Sequence, residues 1–215
     1  STIEIIDLTT NAVTGSVPIP VDAINAAFTP DGTEIWVNSV DSGTVGVVDI
    51  ATLTASSFNI THSNPGGPYT GTTGIRFSPA GDFAYVGNAA DGRISVVDTS
   101  TFAEITTITI GHEPGAMDFS PDGTKALVVI GPTKSIGFID TNTHTLSTTF
   151  DVTTLGYDFP NEAVFSLDGS QVIFSASDGD DKVVFFNVAS STVDGAVTVP
   201  QGSNKIADVV CRSLE

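Results

Sequence analysis

Basic residues, cysteine and long apolar runs are scarce in this chain. Its 215 residues include 7 Lys and Arg against 25 Asp and Glu, which gives a formal net charge of −18. A charge of this sign repels nucleic acids and anionic lipids, so we expect no nucleic-acid partner. The single cysteine excludes an internal disulfide and a cysteine-based metal cluster. No apolar run approaches the length of a membrane-spanning helix, about 18 residues, so we expect no membrane span.

Strong helix-forming residues are also few, whereas Gly (21), Pro (11), Ser and Thr are abundant. This composition argues against a helical protein, and the 40% of apolar residues argues against a disordered one. Nineteen of the 25 acidic residues are Asp, which favours turns because its side chain accepts hydrogen bonds from the nearby backbone. We therefore expect an all-β chain in which much of the acidity serves turns.

Two short motifs recur along the chain. The first runs from a Phe to a Gly four residues later, at Phe28–Gly32, Phe77–Gly81, Phe119–Gly123 and Phe165–Gly169. The second is an apolar run ending in Asp or Asn, at Ile3–Asp7, Val45–Asp49, Ile94–Asp98, Ile136–Asp140 and Val183–Asn187. The steps are 49, 42 and 46 residues for the first motif and 42, 49, 42 and 47 for the second. Because Asp49, Asp98 and Asp140 each precede hydroxyl residues, we expect them to cap turn amides rather than to form a carboxylate ring.

Each repeat divides into four short strands, most clearly in residues 115–150. Pro121 and Gly123 predict a turn, since Pro presets φ at the first corner and Gly permits a positive φ later. Val, Ile, Thr and Phe dominate the segments between turns, as in strands. A repeated four-stranded antiparallel unit of 42 to 49 residues is typical of a β-propeller blade. One such sheet cannot bury both faces alone, whereas blades stacked around an axis cover one another.

The strand count predicts an all-β, five-bladed β-propeller. Four blades are complete, at about 22–60, 72–110, 114–150 and 160–199. Residues 2–18 have the pattern of third and fourth strands, and residues 205–210 that of a first strand, so the two termini are expected to share one composite blade. This composite blade lacks a second strand. The alternative is therefore a fragment of a longer array, for example a seven-bladed one.

The segments Trp36–Ser39 and Tyr85–Asn88, each a few residues after the first motif, resemble the YVTN family of β-propeller repeats. The runs Val47–Asp49 and Val96–Asp98, and Gly111–Pro114 leading into the next motif, also fit that family. The resemblance covers nearly the whole chain. It implies a propeller fold and an extracellular or cell-surface location, as in surface-layer proteins, while related propellers include sugar lactonases. The shared motif residues are structural, so the resemblance implies no catalytic residue.

Candidate binding residues lie where the chain crosses between blades. Propeller sites usually lie at the mouth of the central channel, and the longest inter-blade segments here are 61–73 and 151–161. Long loops with aromatic and polar tips tend to carry function. We therefore predict binding residues in these segments and in the segment before the third blade, namely Tyr69, Tyr157, Asp158 and His112.

The alternative hypothesis is that the channel mouth is an enzyme site. His62 and His112 lie in equivalent inter-blade segments and are predicted to approach each other together with Glu113 and Asp158. Such a group would bind a divalent cation or act as acid and base in a lactonase-like or lyase-like reaction. His144 is predicted to lie in a turn on the opposite rim.

A calcium site is a separate hypothesis. Asp178, Asp180 and Asp181 form the densest acidic run, and calcium takes six to eight oxygen ligands. The alternative is an ordinary hairpin turn with solvated charge, because Asp-Gly is a hairpin signal.

Taken together, the sequence favours a non-enzymatic, secreted or cell-surface propeller that contacts a protein or glycan partner. No cofactor is indicated beyond calcium or another divalent cation. Self-association is expected if the ring of blades is incomplete.

Overall fold

The computed structural model describes residues 1–39, 42–61, 72–158, 160–176 and 182–199, and nearly all of their regular structure is β-strand. A terminal hairpin consists of β1 (Thr2–Asp7) and β2 (Ala12–Pro18). Blade 1 consists of β3 (Ala23–Phe28), β4 (Glu34–Ser39), β5 (Thr44–Asp49) and β6 (Thr54–Asn59). Blade 2 consists of β7 (Thr72–Phe77), β8 (Phe83–Asn88), β9 (Arg93–Asp98) and β10 (Glu104–Thr109).

Two further sheets follow with the same order of strands. Blade 3 consists of β11 (Met117–Phe119), β12 (Lys125–Ile130), β13 (Ser135–Asp140) and β14 (Thr145–Asp151). Blade 4 consists of β15 (Pro160–Phe165), β16 (Gln171–Ala176), β17 (Lys182–Asn187) and β18 (Thr192–Thr198). Two short 3-10 helices, Gly131–Thr133 and Val152–Leu155, complete the described elements. In each blade, consecutive strands pair antiparallel, so the sheet order equals the chain order.

The turn between first and second strands is built by the recurring Phe-to-Gly motif. In blade 3 the Gly123 amide donates to the Ser120 carbonyl at 2.8 Å, and Gly123 has a φ of 71°. The carboxylate of Asp122 accepts from the Ser120 hydroxyl at 2.6 Å and from the Thr124 amide at 3.0 Å. Hydrogen bonds from Ser120 and Thr124 lower the pKa of Asp122 to about 2. The turn therefore holds an ionised carboxylate as a structural part.

The turn between third and fourth strands uses the second motif. Asp98 accepts from the amides of Ser100 at 3.0 Å and Thr101 at 2.9 Å, and Asp49 accepts from the Thr52 amide at 2.7 Å. The expectation that these carboxylates cap turn amides is confirmed. Four residues after the capping Asp or Asn, each turn has a non-glycine residue with a φ between 51° and 58°, namely Asn11, Leu53, Phe102, His144 and Ser191.

Apolar packing between neighbouring sheets forms the core. The inner strands contact one another in sequence, with β3 and β4 against β7, β7 against β11, and β11 and β12 against β15. Each of the four buried clusters combines side chains from two successive sheets. The middle strands are apolar on both faces, because each face meets a different neighbour. Between blades 1 and 2, for example, Trp36 packs against Phe77 of the next blade at 5.0 Å between ring centres.

These sheets confirm the prediction of an all-β, propeller-type fold. The terminal hairpin packs on blade 1 through β2 and β6, in the position expected for third and fourth strands. The predicted inner strand at 205–210 lies outside the described residues. No helix in the described ranges is long and apolar enough to cross a membrane.

The contact between blades predicts a large cost for truncating Trp36. This side chain is fully buried and its ring lies within 5.6 Å of the rings of Phe58, Phe77 and Phe102. We expect Trp36→Ala to lower the free energy of unfolding by about 3–5 kcal/mol, measured by urea denaturation. Ile105→Ala, at an exposed position of an outer strand, is the control and should cost less than about 1 kcal/mol. Equal costs for the two variants would contradict the role of this junction.

Candidate functional site

The junction of blades 3 and 4 brings together a small group of polar and aromatic side chains, which we call the Tyr157 rim. It consists of Lys134, Tyr157, Asp158 and Lys182. Lys134 follows the 3-10 helix Gly131–Thr133 in the turn between second and third strands. Tyr157 and Asp158 lie in the segment that crosses to blade 4, and Lys182 begins the third strand of that blade. The rim therefore combines side chains from both blades.

Asp158 and Lys134 form an ion pair. The Lys134 ammonium lies 2.9 Å from each carboxylate oxygen of Asp158. The two side chains keep 36% and 29% of their exposure, so the pair is open to solvent and to a partner. An exposed pair of this kind contributes little to stability. The pair places an acceptor and a donor next to each other at this junction.

The Tyr157 ring packs against an apolar side chain and also lies near a lysine ammonium. Its half-buried ring meets Phe174 edge-on, with 6.0 Å between ring centres and an angle of 87°. The Lys182 ammonium lies 5.8 Å from the centre of the Tyr157 ring, within reach of a cation–π interaction. The preceding Gly156 has a φ of 81°, and the Tyr157 amide donates to the Val152 carbonyl at 3.2 Å. The backbone turn thus fixes where the ring is presented.

His112 and Glu113 lie in the segment between blades 2 and 3, and both side chains are exposed. The backbone before them is anchored, because the amides of Ile110 and Gly111 donate to the Gly92 carbonyl at 2.8 and 2.9 Å. In the part of the chain that the structure describes, neither residue contacts the Tyr157 rim. The grouping of His112 and Glu113 with Asp158 therefore stays a prediction, as does the hydrolytic function built on it.

Several candidate residues lie outside the described residues. These are His62, Tyr69, Asp178, Asp180 and Asp181. Among the residues that are described, no group of three or more His, Cys, Asp or Glu side chains is arranged to hold a metal ion. The calcium hypothesis and the pairing of His62 with His112 accordingly stay predictions.

The sequence analysis did not single out two charged residues on the inner strands that lie next to the recurring motif. Arg76 on β7 and Asp118 on β11 each lie one position before the motif Phe. Asp118 is half-buried and accepts from the Phe165 amide of blade 4 at 2.8 Å. Burial raises the pKa of Asp118, while the hydrogen bonds from Phe165 and Phe119 and the charge of Arg76 oppose that rise. A charged residue at an otherwise apolar motif position is the signal that would have identified them.

The two lysines of the rim were also missed. The chain has only four lysines, and two of them, Lys134 and Lys182, lie at this junction. Their spacing in sequence gives no hint of proximity, because they belong to successive repeats. The scarcity of lysine in an acidic chain is the signal that would have singled them out.

His144 has a structural position. Its Nδ1 lies 3.1 Å from the Tyr85 hydroxyl, and its ring meets Phe83 edge-on at 5.0 Å between ring centres. It lies in the turn between β13 and β14, as the sequence predicted.

Comparison with known proteins identifies the fold but not an activity. No family model matches the chain, and no curated protein sequence matches it. Among solved structures 1464 chains match, so the architecture is widespread and carries no particular chemistry. A chain of hydrazine synthase from Kuenenia stuttgartiensis is similar, with a TM-score of 0.71 and 21% identity over 88% of this chain. This chain covers 57% of that structure, and the likeness shows the β-propeller fold alone.

Asp118 predicts a contrast between two substitutions. Asp118→Asn keeps an acceptor for the Phe165 amide and removes a charge that burial disfavours, so we expect a change of less than about 1 kcal/mol in the free energy of unfolding. Asp118→Leu leaves that amide unpaired between blades and should cost about 1–3 kcal/mol. Urea denaturation at pH 7 distinguishes the two. A similar loss in both variants would show that the charge, rather than the hydrogen bond, stabilises this contact.

His144 predicts a pH dependence of stability. Burial lowers the pKa of His144 below its ordinary value, although Asp82 and Asp140 oppose the shift. The unfolded chain therefore binds a proton at this histidine more readily than the folded one as pH falls through about 6.5. We expect the stability difference between the native chain and His144→Phe to move in favour of the variant from pH 8 to pH 5. Urea denaturation across that range measures it, and a difference that is independent of pH would contradict the assignment.

Proposed function

We propose that this chain is a non-enzymatic binding module of an extracellular or cell-surface protein, and that a YVTN-type propeller presents the Tyr157 rim to a protein or glycan partner. The observation that supports it best is the contact of the Tyr157 ring with Phe174 and with the Lys182 ammonium, together with the Asp158–Lys134 ion pair of the neighbouring residue. The rim combines an anchored aromatic ring with charged donors and acceptors that remain partly exposed.

The chemistry of the rim suits reversible contact. A tyrosine ring supplies apolar area at low conformational-entropy cost, and its hydroxyl remains available for hydrogen bonds. In the proposed complex, a sugar face or an apolar side chain of the partner stacks on the Tyr157 ring. The ammonium of Lys182 and the carboxylate of Asp158 then donate to and accept from hydroxyl or amide groups of the partner.

The use of the carboxylates elsewhere supports a non-enzymatic role. Asp7, Asp31, Asp151 and Asp168 each accept hydrogen bonds from turn amides or hydroxyls, and these bonds lower the pKa of every one of them. They are stabilised as charges and are thus poorly suited to proton transfer near neutral pH. The acidic, hydroxyl-rich surface with one cysteine suits an exposed protein that meets cationic partners.

Paired substitutions at Tyr157 test the proposal. Labelled native chain is applied to a glycan array and to an array of secreted and cell-surface proteins, and the strongest hit is measured by biolayer interferometry. Tyr157→Ala should weaken binding about ten-fold or more, whereas Tyr157→Phe, which keeps the ring, should retain most of it. Asp158→Asn should also weaken binding.

His112→Ala serves as a further variant, because His112 does not contact the rim in the described structure. It should retain native affinity if the rim alone carries the contact. Thermal unfolding of each variant separates loss of contact from loss of fold. Unchanged affinity in both Tyr157→Ala and Asp158→Asn would refute this site.

A further inference from the structure

Among the described residues, one strand edge of the terminal hairpin has no partner strand. In the described ranges β1 pairs only with β2, whereas the corresponding strands β5, β9, β13 and β17 pair on both sides. Because β2 packs beside β6, the hairpin occupies the outer half of a sheet that precedes blade 1. The inner edge of β1 therefore presents backbone donors and acceptors at the position where the other sheets have their second strand.

In the complete junctions, two side chains of one blade hold a side chain from the second strand of the preceding blade between them, and we call these two side chains the clamp. In blade 1 the corresponding two side chains are exposed. Blade 2 holds Trp36 of the preceding second strand between Phe77 and Phe102, at 5.0 and 5.6 Å between ring centres. When the repeats are aligned, Phe28 of blade 1 corresponds to Phe77 and Leu53 corresponds to Phe102. They are 64% and 40% exposed, respectively.

The following junction shows the same clamp. Blade 3 holds Tyr85 between Phe119 and His144, at 4.8 and 5.9 Å between ring centres. The clamp therefore receives an aromatic residue in both blades where the preceding strand offers one. Phe28 and Leu53 are the exposed apolar residues of blade 1 at the two positions that hold the aromatic ring in the other blades.

The turn of blade 1 also lacks a neighbouring turn in the part of the chain that the structure describes. A side-chain carbon placed on Gly81, Gly123 or Gly169 would lie 3.3 to 3.6 Å from the proline of the preceding blade's turn. One placed on Gly32 would meet nothing within 4 Å. The face of blade 1 around Phe28 and Gly32 thus lacks, among the described residues, the neighbour that its repeats have.

Glu4 gives this edge a charge preference. Its counterparts on the other third strands include Gly46, Ser95 and Gly137, which are buried and pair with valines of the second strand. Glu4 is instead exposed at the middle of β1. A residue opposite Glu4 on an added strand would face its carboxylate, so Lys or Arg is favoured there and an acidic residue is disfavoured.

We propose that the inner edge of β1 binds an extended segment of a partner protein by strand addition. The segment runs antiparallel to β1 and carries an aromatic residue followed directly by Lys or Arg. Its aromatic side chain enters between Phe28 and Leu53, and its basic side chain faces Glu4. Backbone hydrogen bonds supply affinity and the two side chains supply sequence preference. The net charge of −18 favours such a basic segment. This proposal does not depend on the Tyr157 rim.

A charge swap tests the register. A fluorescein-labelled peptide of the order Thr-Ile-Trp-Lys-Val-Asn is titrated against the full chain and followed by fluorescence anisotropy. Glu4→Lys should weaken binding about ten-fold or more, and a peptide with Glu in place of Lys should restore it. Phe28→Ser should weaken both peptides. Asp22→Lys makes the same charge change at an exposed site off β1 and should leave the affinity within about three-fold of native.

Further measurements on the same protein distinguish a partner peptide from other possible occupants of this edge. Among residues 2–7, the amides that do not donate to β2 should exchange fast in the free chain and slowly with the peptide. Slow exchange in a free monomer would mean that residues 200–215 already cover the edge, and would overturn the proposal. A dimer that Glu4→Lys dissociates, seen by analytical ultracentrifugation, would assign the edge to a second copy and also overturn it. An affinity for the peptide that is unchanged in both Glu4→Lys and Phe28→Ser would overturn it as well.

Discussion

Burial between neighbouring sheets is the interaction on which this structure depends. A four-stranded sheet with two apolar faces has no side that can face water, so every blade needs a neighbour on each face. The four buried clusters follow this rule, because each draws side chains from two successive sheets. Stability in such an array is a property of junctions, and the loss of one neighbour exposes the face of the next.

The same constraint decides where polar chemistry can lie. In the four blades the interiors of the middle strands are occupied by the core, so the described charged groups lie in turns, in inter-blade segments, on inner and outer strands, or at the ends of the middle strands. Most described aspartates in turns serve the backbone there, whereas the charged groups of the Tyr157 rim pair with each other or approach an aromatic ring. The geometry of the rim depends on the junction of blades 3 and 4, because Lys134 and Tyr157 come from one side of it and Lys182 from the other.

The periodicity of the sequence was sufficient to predict the strands and their order. Motif spacing located the four four-stranded sheets, and the hydroxyl residues after Asp49 and Asp98 predicted the capped turns. The sequence could not predict contacts between repeats. The period of the motifs places each residue within its own blade, but it does not show which side chain of the neighbouring blade lies against it. The approach of Lys182 to Tyr157 and the hydrogen bond between Asp118 and Phe165 are of that kind. The grouping of His112 with Asp158 was proposed on equivalence of loops alone, and the described contacts do not include it.

The residues with positive φ in the outer turns couple the sequences of neighbouring repeats. A glycine or asparagine would adopt their positive φ with less strain, but Phe102 and His144 use that backbone to reach an aromatic ring of the preceding repeat. A change of Trp36 or Tyr85 therefore alters the best residue at a turn more than fifty positions later. Substitutions on the two sides of such a boundary are therefore coupled, because the ring of one repeat and the turn residue of the next share one contact.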